Sequence, residues 1–153
     1  MRIALGSDDR SPLTDAVRDS LRERGHELVC FGAIEDDARP WPQVGRSVAE
    51  AVARGDAGYG VVLCWTGTGV AIAANKVAGA RAALCADAAT AAGARRWNDA
   101  NVLALSMRAT SIPVALEILD AWFATGASRE SDDRAAIESL EPLPLNPAAA
   151  RDR

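Results

Sequence analysis

The chain has one histidine, His26, and three cysteines, Cys30, Cys64 and Cys85, and none of them carries metal-ligand spacing. A metal site needs a cluster of such groups, so neither a metal nor another cofactor is expected. Three cysteines cannot all pair, and two of them close apolar runs, which suits reduced thiols rather than a disulfide framework. Positive charge is also scarce: 17 Lys and Arg stand against 21 Asp and Glu, for a net charge of −4. A surface that follows nucleic-acid phosphates needs the opposite balance, so no nucleic-acid partner is expected. The N-terminus, MRIALGSDD, turns acidic after a short apolar run and reads as neither a signal peptide nor a membrane span. The expected location is the cytoplasm, with no membrane partner.

What the chain does contain is alternation. Its 153 residues, 49% hydrophobic, suit one compact domain with a full core. Residues 2–6 (RIALG) read as a strand, and Ser11-Pro12 supply an N-cap and first-turn proline for a helix striped by Leu13, Val17 and Leu21 and ended by Gly25. Residues 27–31 (ELVCF) form the next strand. The prolines of DDARPWP (36–42) predict an irregular loop, followed by a helix striped by Val44, Val48, Ala51 and Val52 and closed at Gly55. YGVVLC (59–64), ARAALC (80–85) and NVLALS (101–106) are near-continuously apolar, the mark of parallel strands covered on both faces. Helical stretches are expected near 70–78, 88–96, 112–124 and 131–140. This βα order predicts an α/β fold, a three-layer α/β/α sandwich with a Rossmann-like five-stranded parallel sheet. Residues 1–141 are expected to form that one domain, and the Pro- and Ala-rich 142–153 a mobile tail.

Ligands of such folds bind beyond the carboxyl ends of the strands. That rule draws attention to CWTGTGVAIAANK (64–76), where a buried strand becomes a helix through Cys64, Thr66, Gly67, Thr68 and Gly69. The glycines permit a tight turn, and N–H groups opening the helix can face an anion. The segment is neither a Walker loop nor a dinucleotide fingerprint, because the required endings and glycine spacing are missing. A thiol just before a helix N-terminus is a candidate proton carrier, although most free cysteines are small core residues. Ser7, Asp8, Asp9, Asp87, Ser106 and Arg108 stand at other strand ends, and Asn98 lies just before the fifth strand. His26 reads as a surface residue, Lys76 as a helix-end cation, Trp122 as core or interface, and Cys30 and Cys85 as strand fillers.

GSDD (6–9), CWTGTGVAIAANKVAGARAALC (64–85) and WNDANVLALSMR (97–108) together resemble the signature segments of the ribose-5-phosphate isomerase B family, which includes the galactose-6-phosphate isomerase subunits. The resemblance runs in order over roughly residues 1–140. It implies interconversion of aldose and ketose sugar phosphates without a metal, through a cis-enediolate. Residue by residue, it implies that Cys64 is the base and that Thr66 serves ring opening. It assigns Gly67, Gly69 and the N–H groups that follow to the oxyanion cradle, with Asn98 as its side-chain donor and Thr68 at a substrate-binding position. Asp8, Asp9, Arg10, Trp41, Trp97, Arg108 and Arg134 fall at substrate-binding positions. It further implies a homodimer or tetramer with the site at the subunit boundary, where the segment of Trp97 reaches the neighbour's cysteine pocket.

The departures are as informative. Asp9 stands where the family has a histidine, and Trp97 stands where the family has the histidine that helps open the ring. Pro40-Trp41-Pro42 replaces Asp-Tyr-Pro, and the spacing of Arg129 and Arg134 keeps only Arg134 in register with the family's phosphate-clamping arginines. A carboxylate a few ångströms from a phosphate repels it by roughly a few kcal/mol at an effective dielectric near 20. The expectation is therefore a divergent isomerase or epimerase acting on a sugar or sugar-phosphate-like substrate other than the standard pentose phosphate. The alternatives are an ordinary ribose-5-phosphate isomerase and a non-catalytic relative that binds a carbohydrate-like ligand or a protein partner.

Overall fold

A computed structural model of the chain describes residues 1–140, so the expected tail at 142–153 lies outside the described residues. The elements follow in the order β1 (Arg2–Ser7), α1 (Pro12–Glu23), β2 (Glu27–Gly32), a 3-10 turn (Ala33–Glu35), α2 (Trp41–Ala53), β3 (Tyr59–Cys64), α3 (Thr68–Ala74), β4 (Ala82–Leu84), α4 (Ala88–Asn98), β5 (Val102–Ser106), α5 (Ile112–Ala124) and α6 (Ser131–Glu138). The strands make one parallel sheet in the order β2-β1-β3-β5-β4, the α/β architecture expected from the sequence. Side chains alternate across it. Ile3, Leu5, Val61, Leu63, Leu103 and Leu105 pack with Val17, Leu21, Ile118, Leu119 and the fully enclosed Trp122 on one face. Ala4, Val62 and Ala104 pack with Val48 and Val70 of α2 and α3 on the other.

Local chemistry sets the boundaries. The Ser11 hydroxyl accepts from the Thr14 N–H at 3.3 Å while the Thr14 hydroxyl accepts from the Ser11 N–H at 2.9 Å, a reciprocal cap that opens α1 directly after β1. Two expectations need correction. The 36–42 stretch is not wholly irregular, because α2 begins at Trp41, with Pro40 as its N-cap and Pro42 in its first turn. A proline is tolerated there, since N–H groups of the first turn have no intrahelical acceptor to lose. The fourth strand spans three residues rather than six. Side chains take over the backbone pairing at its start: Asn75 exchanges two 2.8 Å bonds with the main chain of Ala82, and Asn101 binds the Arg81 N–H at 2.7 Å and the Gly79 carbonyl at 2.8 Å. As an edge strand it also leaves Leu84 exposed rather than covered on both faces. α3 is likewise shorter than the expected 70–78.

His26 is half-buried rather than a free surface residue, with its ring 4.9 Å from that of Phe123 and its imidazole held below the usual range by burial. Among the described residues no helix is long and apolar enough to cross a membrane.

β1 and β3 are neighbours but not consecutive in sequence, and the helices that follow them leave toward opposite faces. This is the topological switch point at which open parallel sheets form a crevice.

Candidate active site

A cavity of about 310 Å³ occupies that crevice, lined by Asp8, Trp41, Cys64, Trp65, Thr66, Thr68 and Gly69. Cys64, only 4% exposed, is the last residue of β3 and lies opposite Ser106 of β5. Pairing continues past the strand ends. The Cys64 carbonyl accepts from the Met107 N–H at 3.0 Å, and the Trp65 carbonyl accepts from the Arg108 N–H at 2.9 Å and the Ser106 hydroxyl at 3.0 Å. The chain then turns at Gly67, whose φ of 74° and close fit exclude a side chain, since a β-carbon there would stand 2.5 Å from Leu84 Cδ1. Gly67 caps α3 with no side-chain acceptor, so the first-turn N–H groups beside Thr68 and Gly69 have no side-chain cap. The Thr66 and Thr68 hydroxyls are hydrogen-bonded to each other at 2.7 Å.

From the β1 side the cavity receives Asp8. Its Oδ1 is buried with no hydrogen-bond partner among the described residues, and burial raises the carboxyl above the usual range, with the neighbouring Asp9 adding to the effect. Asp9 itself is exposed and does not line the cavity; its Oδ1 accepts from the Arg10 N–H at 2.7 Å. Arg10 reaches away toward carboxylates, with Nε 3.2 Å from Asp15 and Nη1 3.8 Å from Asp36. Among the described residues no Lys or Arg of the chain lines the Cys64 cavity. Arg108 lines a second cavity, about 260 Å³, with Cys85, Ser106 and Thr110, and Thr66 belongs to both.

Trp97, Asn98 and Arg134 lie elsewhere. In the β3–β5 register Gly60 faces Val102 and Cys64 faces Ser106, so the beginning of β5 is about 13 Å from its end. Asn98 precedes that beginning, and an asparagine side chain reaches only a few ångströms. Within one chain Asn98 and Cys64 therefore do not meet. Asn98 lines a 470 Å³ cavity with Asn75, Lys76 and Arg81, larger than the Cys64 cavity but without a thiol or carboxylate among the described residues of its lining. Trp97 is 55% exposed and lies over Gly93, where a β-carbon would come within 2.8 Å of its ring. Arg134 lines a small cavity with Asp99 and Ser128. The buried Arg95 holds this end in place, reaching Asp99 at 2.9 Å and the Tyr59 hydroxyl at 2.8 Å with its guanidinium 4.7 Å from the Tyr59 ring centre.

Burial pushes the Cys30 and Cys85 thiols up to about 11, which leaves them as inert packing. Among the described residues no three or more His, Cys, Asp or Glu side chains are grouped to hold a metal ion. Sequence reasoning missed Trp65. It follows the strand YGVVLC directly, and the signal was its place one residue beyond Cys64, on the rim where strand residues emerge.

A family model described as Ribose/Galactose Isomerase matches residues 3–140. The ribose-5-phosphate isomerase B of Escherichia coli is 41% identical over 122 residues, 79% of this chain and 82% of that protein. The galactose-6-phosphate isomerase subunit LacB of Clostridium acetobutylicum is 33% identical over 144 residues, 94% of this chain and 83% of that protein. The solved structure of Clostridium thermocellum ribose-5-phosphate isomerase B superposes with a TM-score of 0.85 at 36% identity, covering 92% of this chain and 95% of that one. A sheet with its crevice at the β1–β3 switch point, a cysteine at the end of β3 and likeness along nearly all of the described chain lead to one assignment: this chain belongs to the ribose/galactose isomerase family of sugar-phosphate isomerases.

Proposed function

We propose that the chain is a metal-independent aldose–ketose isomerase or epimerase that works through a cis-enediolate, with Cys64 as the base. The observation that carries this reading is the single cavity that gathers Cys64, Thr66, Thr68 and Asp8 beside the uncapped start of α3. The Cys64 thiolate takes the proton from the carbon beside the substrate carbonyl. The C–H electron pair becomes the enediolate double bond, and negative charge gathers on the former carbonyl oxygen. The thiol, its proton exchanged with solvent, then protonates the adjacent carbon, while the hydroxyl proton on the other enediolate oxygen passes to the former carbonyl oxygen and leaves the new carbonyl in its place. The N–H groups of Thr68 and Gly69 stabilise the oxyanion, each good donor contributing about 3 kcal/mol. Thr66, paired to Thr68 at 2.7 Å, handles hydroxyl protons during ring opening, and the unpartnered oxygen of Asp8 accepts a substrate hydroxyl.

Asn98, Trp97 and Arg134 come to this cavity from a second copy of the chain. The separation along β5 supports that arrangement for Trp97 and Asn98, which cannot reach their own Cys64, and Arg134 lines a cavity with Asp99 beside them. The working form is then a homodimer, or a tetramer of such pairs, acting on a small sugar in the cytoplasm. The substrate is a sugar other than the standard pentose phosphate. In support, Arg10 is directed to Asp15 and Asp36, and Trp97 cannot shuttle a proton as a histidine does.

The test is solvent-deuterium incorporation, followed by proton NMR on ribose, galactose, ribose 5-phosphate and galactose 6-phosphate. Wild-type protein is expected to exchange the proton beside the carbonyl of at least one sugar, and Cys64→Ala to abolish that exchange while remaining folded. Undiminished exchange in Cys64→Ala contradicts the assignment of the base.

A further inference from the structure

α3 runs from one cavity to another. Thr68 at its start lines the Cys64 cavity, and Lys76, just past its end, lines the cavity of Asn98. Ile72 stands between them, four residues from each, and residues four apart are neighbours on one helix face. The turn continues through Asn75, and the Lys76 N–H donates to the Ala73 carbonyl at 3.3 Å, so the row Thr68, Ile72, Lys76 is kept to its end. All three residues are exposed, Ile72 at 59%, while Val70, Ala71 and Ala74 are buried on the opposite side. A lone exposed apolar side chain is ordinary on a surface. Here exposed Trp65 lines the Cys64 cavity and exposed Leu140 the Asn98 cavity, so an apolar group stands at each end of the row and one at its centre.

The charges at the two ends are complementary. Among the described residues the Cys64 cavity has Asp8 and no Lys or Arg, and the Asn98 cavity has Lys76 and Arg81 and no carboxylate. Arg81 is engaged by Asp99 at 3.1 Å, whereas Lys76 makes no ion pair among the described residues. A face with this order fits a second copy of itself. From Thr68 to Lys76 is about 12 Å at a helical rise of about 1.5 Å per residue, close to the separation of about 13 Å along β5 that keeps Asn98 from its own Cys64. A two-fold axis at Ile72 sets that residue against its equivalent and exchanges the ends, which carries Lys76 of the second copy to Thr68, Leu140 toward Trp65 and Asn98 toward Cys64.

We propose that two copies pair α3 against α3 about Ile72, and that Lys76 of the second copy is a specificity-determining residue, its ammonium at the mouth of the Cys64 cavity binding the phosphate of a sugar-phosphate substrate. This deepens the two-copy isomerase reading above and rests on it. The pairing gives a cation to a cavity that its own chain lines with a carboxylate.

Two measurements test this without depending on turnover. In Ile72→Cys a short bismaleimide is expected to link two copies through residue 72, a product that wild type does not form. Ile72→Arg, which sets like charges together across the axis, is expected to lower the mass in light scattering while circular dichroism stays native. The second probe is inorganic phosphate, titrated by phosphorus NMR. Lys76→Gln is expected to bind it at least about tenfold more weakly than wild type, and Lys76→Arg within about threefold, both at unchanged mass. Ile72→Arg should also bind it more weakly, although that variant adds a cation one turn from Lys76. The inference is overturned by an absent cross-link at residue 72, by an unchanged mass in Ile72→Arg, or by a monomeric Ile72→Arg that binds phosphate as tightly as wild type. It is equally overturned by a wild type that does not bind phosphate saturably, or by a Lys76→Gln protein with wild-type affinity or a lower mass. The two readings fail separately: unaltered phosphate binding in Lys76→Gln alongside a dead Cys64→Ala variant leaves the isomerase standing without this cation, and exchange that survives in Cys64→Ala removes the base whatever Lys76 does.

Discussion

The six-membered ring of Trp41 rests on the α-carbon of Gly69, so closely that a β-carbon there would stand 2.9 Å from the ring. Trp41 opens α2 and Gly69 lies in the first turn of α3, so this contact sets the width of the cavity between the two helices. Alanine in a helix is favoured over glycine by at most about 1 kcal/mol. Overpacking costs about 1–3 kcal/mol. The clash therefore wins. Gly69→Ala is expected to lower Tm and to reduce kcat/KM at least about tenfold as the indole is displaced. Combining it with Trp41→Ala should recover part of the stability, a coupling visible in a double-mutant cycle. A Gly69→Ala variant more stable than wild type contradicts the packing described.

Asp8 gives a pH signature. Its folded carboxyl titrates above the unfolded value because burial disfavours the charged form. Below the unfolded value, about 4, it is protonated in both states and has no effect. As pH rises through the folded value, the buried charge destabilises the fold. Asp8→Asn should accordingly have a higher Tm than wild type at pH 7, with the difference vanishing as the pH falls below about 4. The same variant should lose catalytic efficiency, because the charged acceptor is gone. Thermal melts across pH check the first outcome, and a lower Tm at pH 7 contradicts it.

Most of the βα order was legible in the sequence because apolar runs and caps act locally: Ser11 and Pro12 start α1, and Gly25 and Gly55 follow α1 and α2 at positive φ. The start of α2 was not, since proline reads as a breaker until its first-turn position is known. The short β4 was also hidden, because Asn75 and Asn101 replace strand pairing through contacts between distant segments. Those two asparagines, within the AANK and NDAN stretches, are structural staples. Cys64, Thr66 and Gly67 could be placed because residues just after a strand sit at its carboxyl end. By the same rule Asn98, just before a strand, belongs at the opposite end, and topology alone could have shown that one chain keeps it from Cys64.

The departures at Asp9 and Trp97 predict poor use of the standard pentose phosphate. Ribose 5-phosphate should turn over more slowly than about 1 per second, an order below a typical enzyme. Asp9→His combined with Trp97→His should raise that rate by restoring a phosphate donor and a proton shuttle. A coupled assay of ribulose 5-phosphate formation reads both values. Wild-type turnover at about 10 per second or faster would make this an ordinary pentose-phosphate isomerase.

The two-copy site is tested most directly by complementation. Cys64→Ala and Asn98→Ala proteins, each inactive alone, are unfolded, mixed in equal amounts and refolded, and exchange is measured on a sugar that the wild type turns over. In a two-fold pair that shares its sites, each heterodimer has one site with both residues intact, so random pairing restores about a quarter of wild-type activity. A mixture that stays inactive although heterodimers are present, or an Asn98→Ala protein that is fully active alone, contradicts a site completed by the second copy.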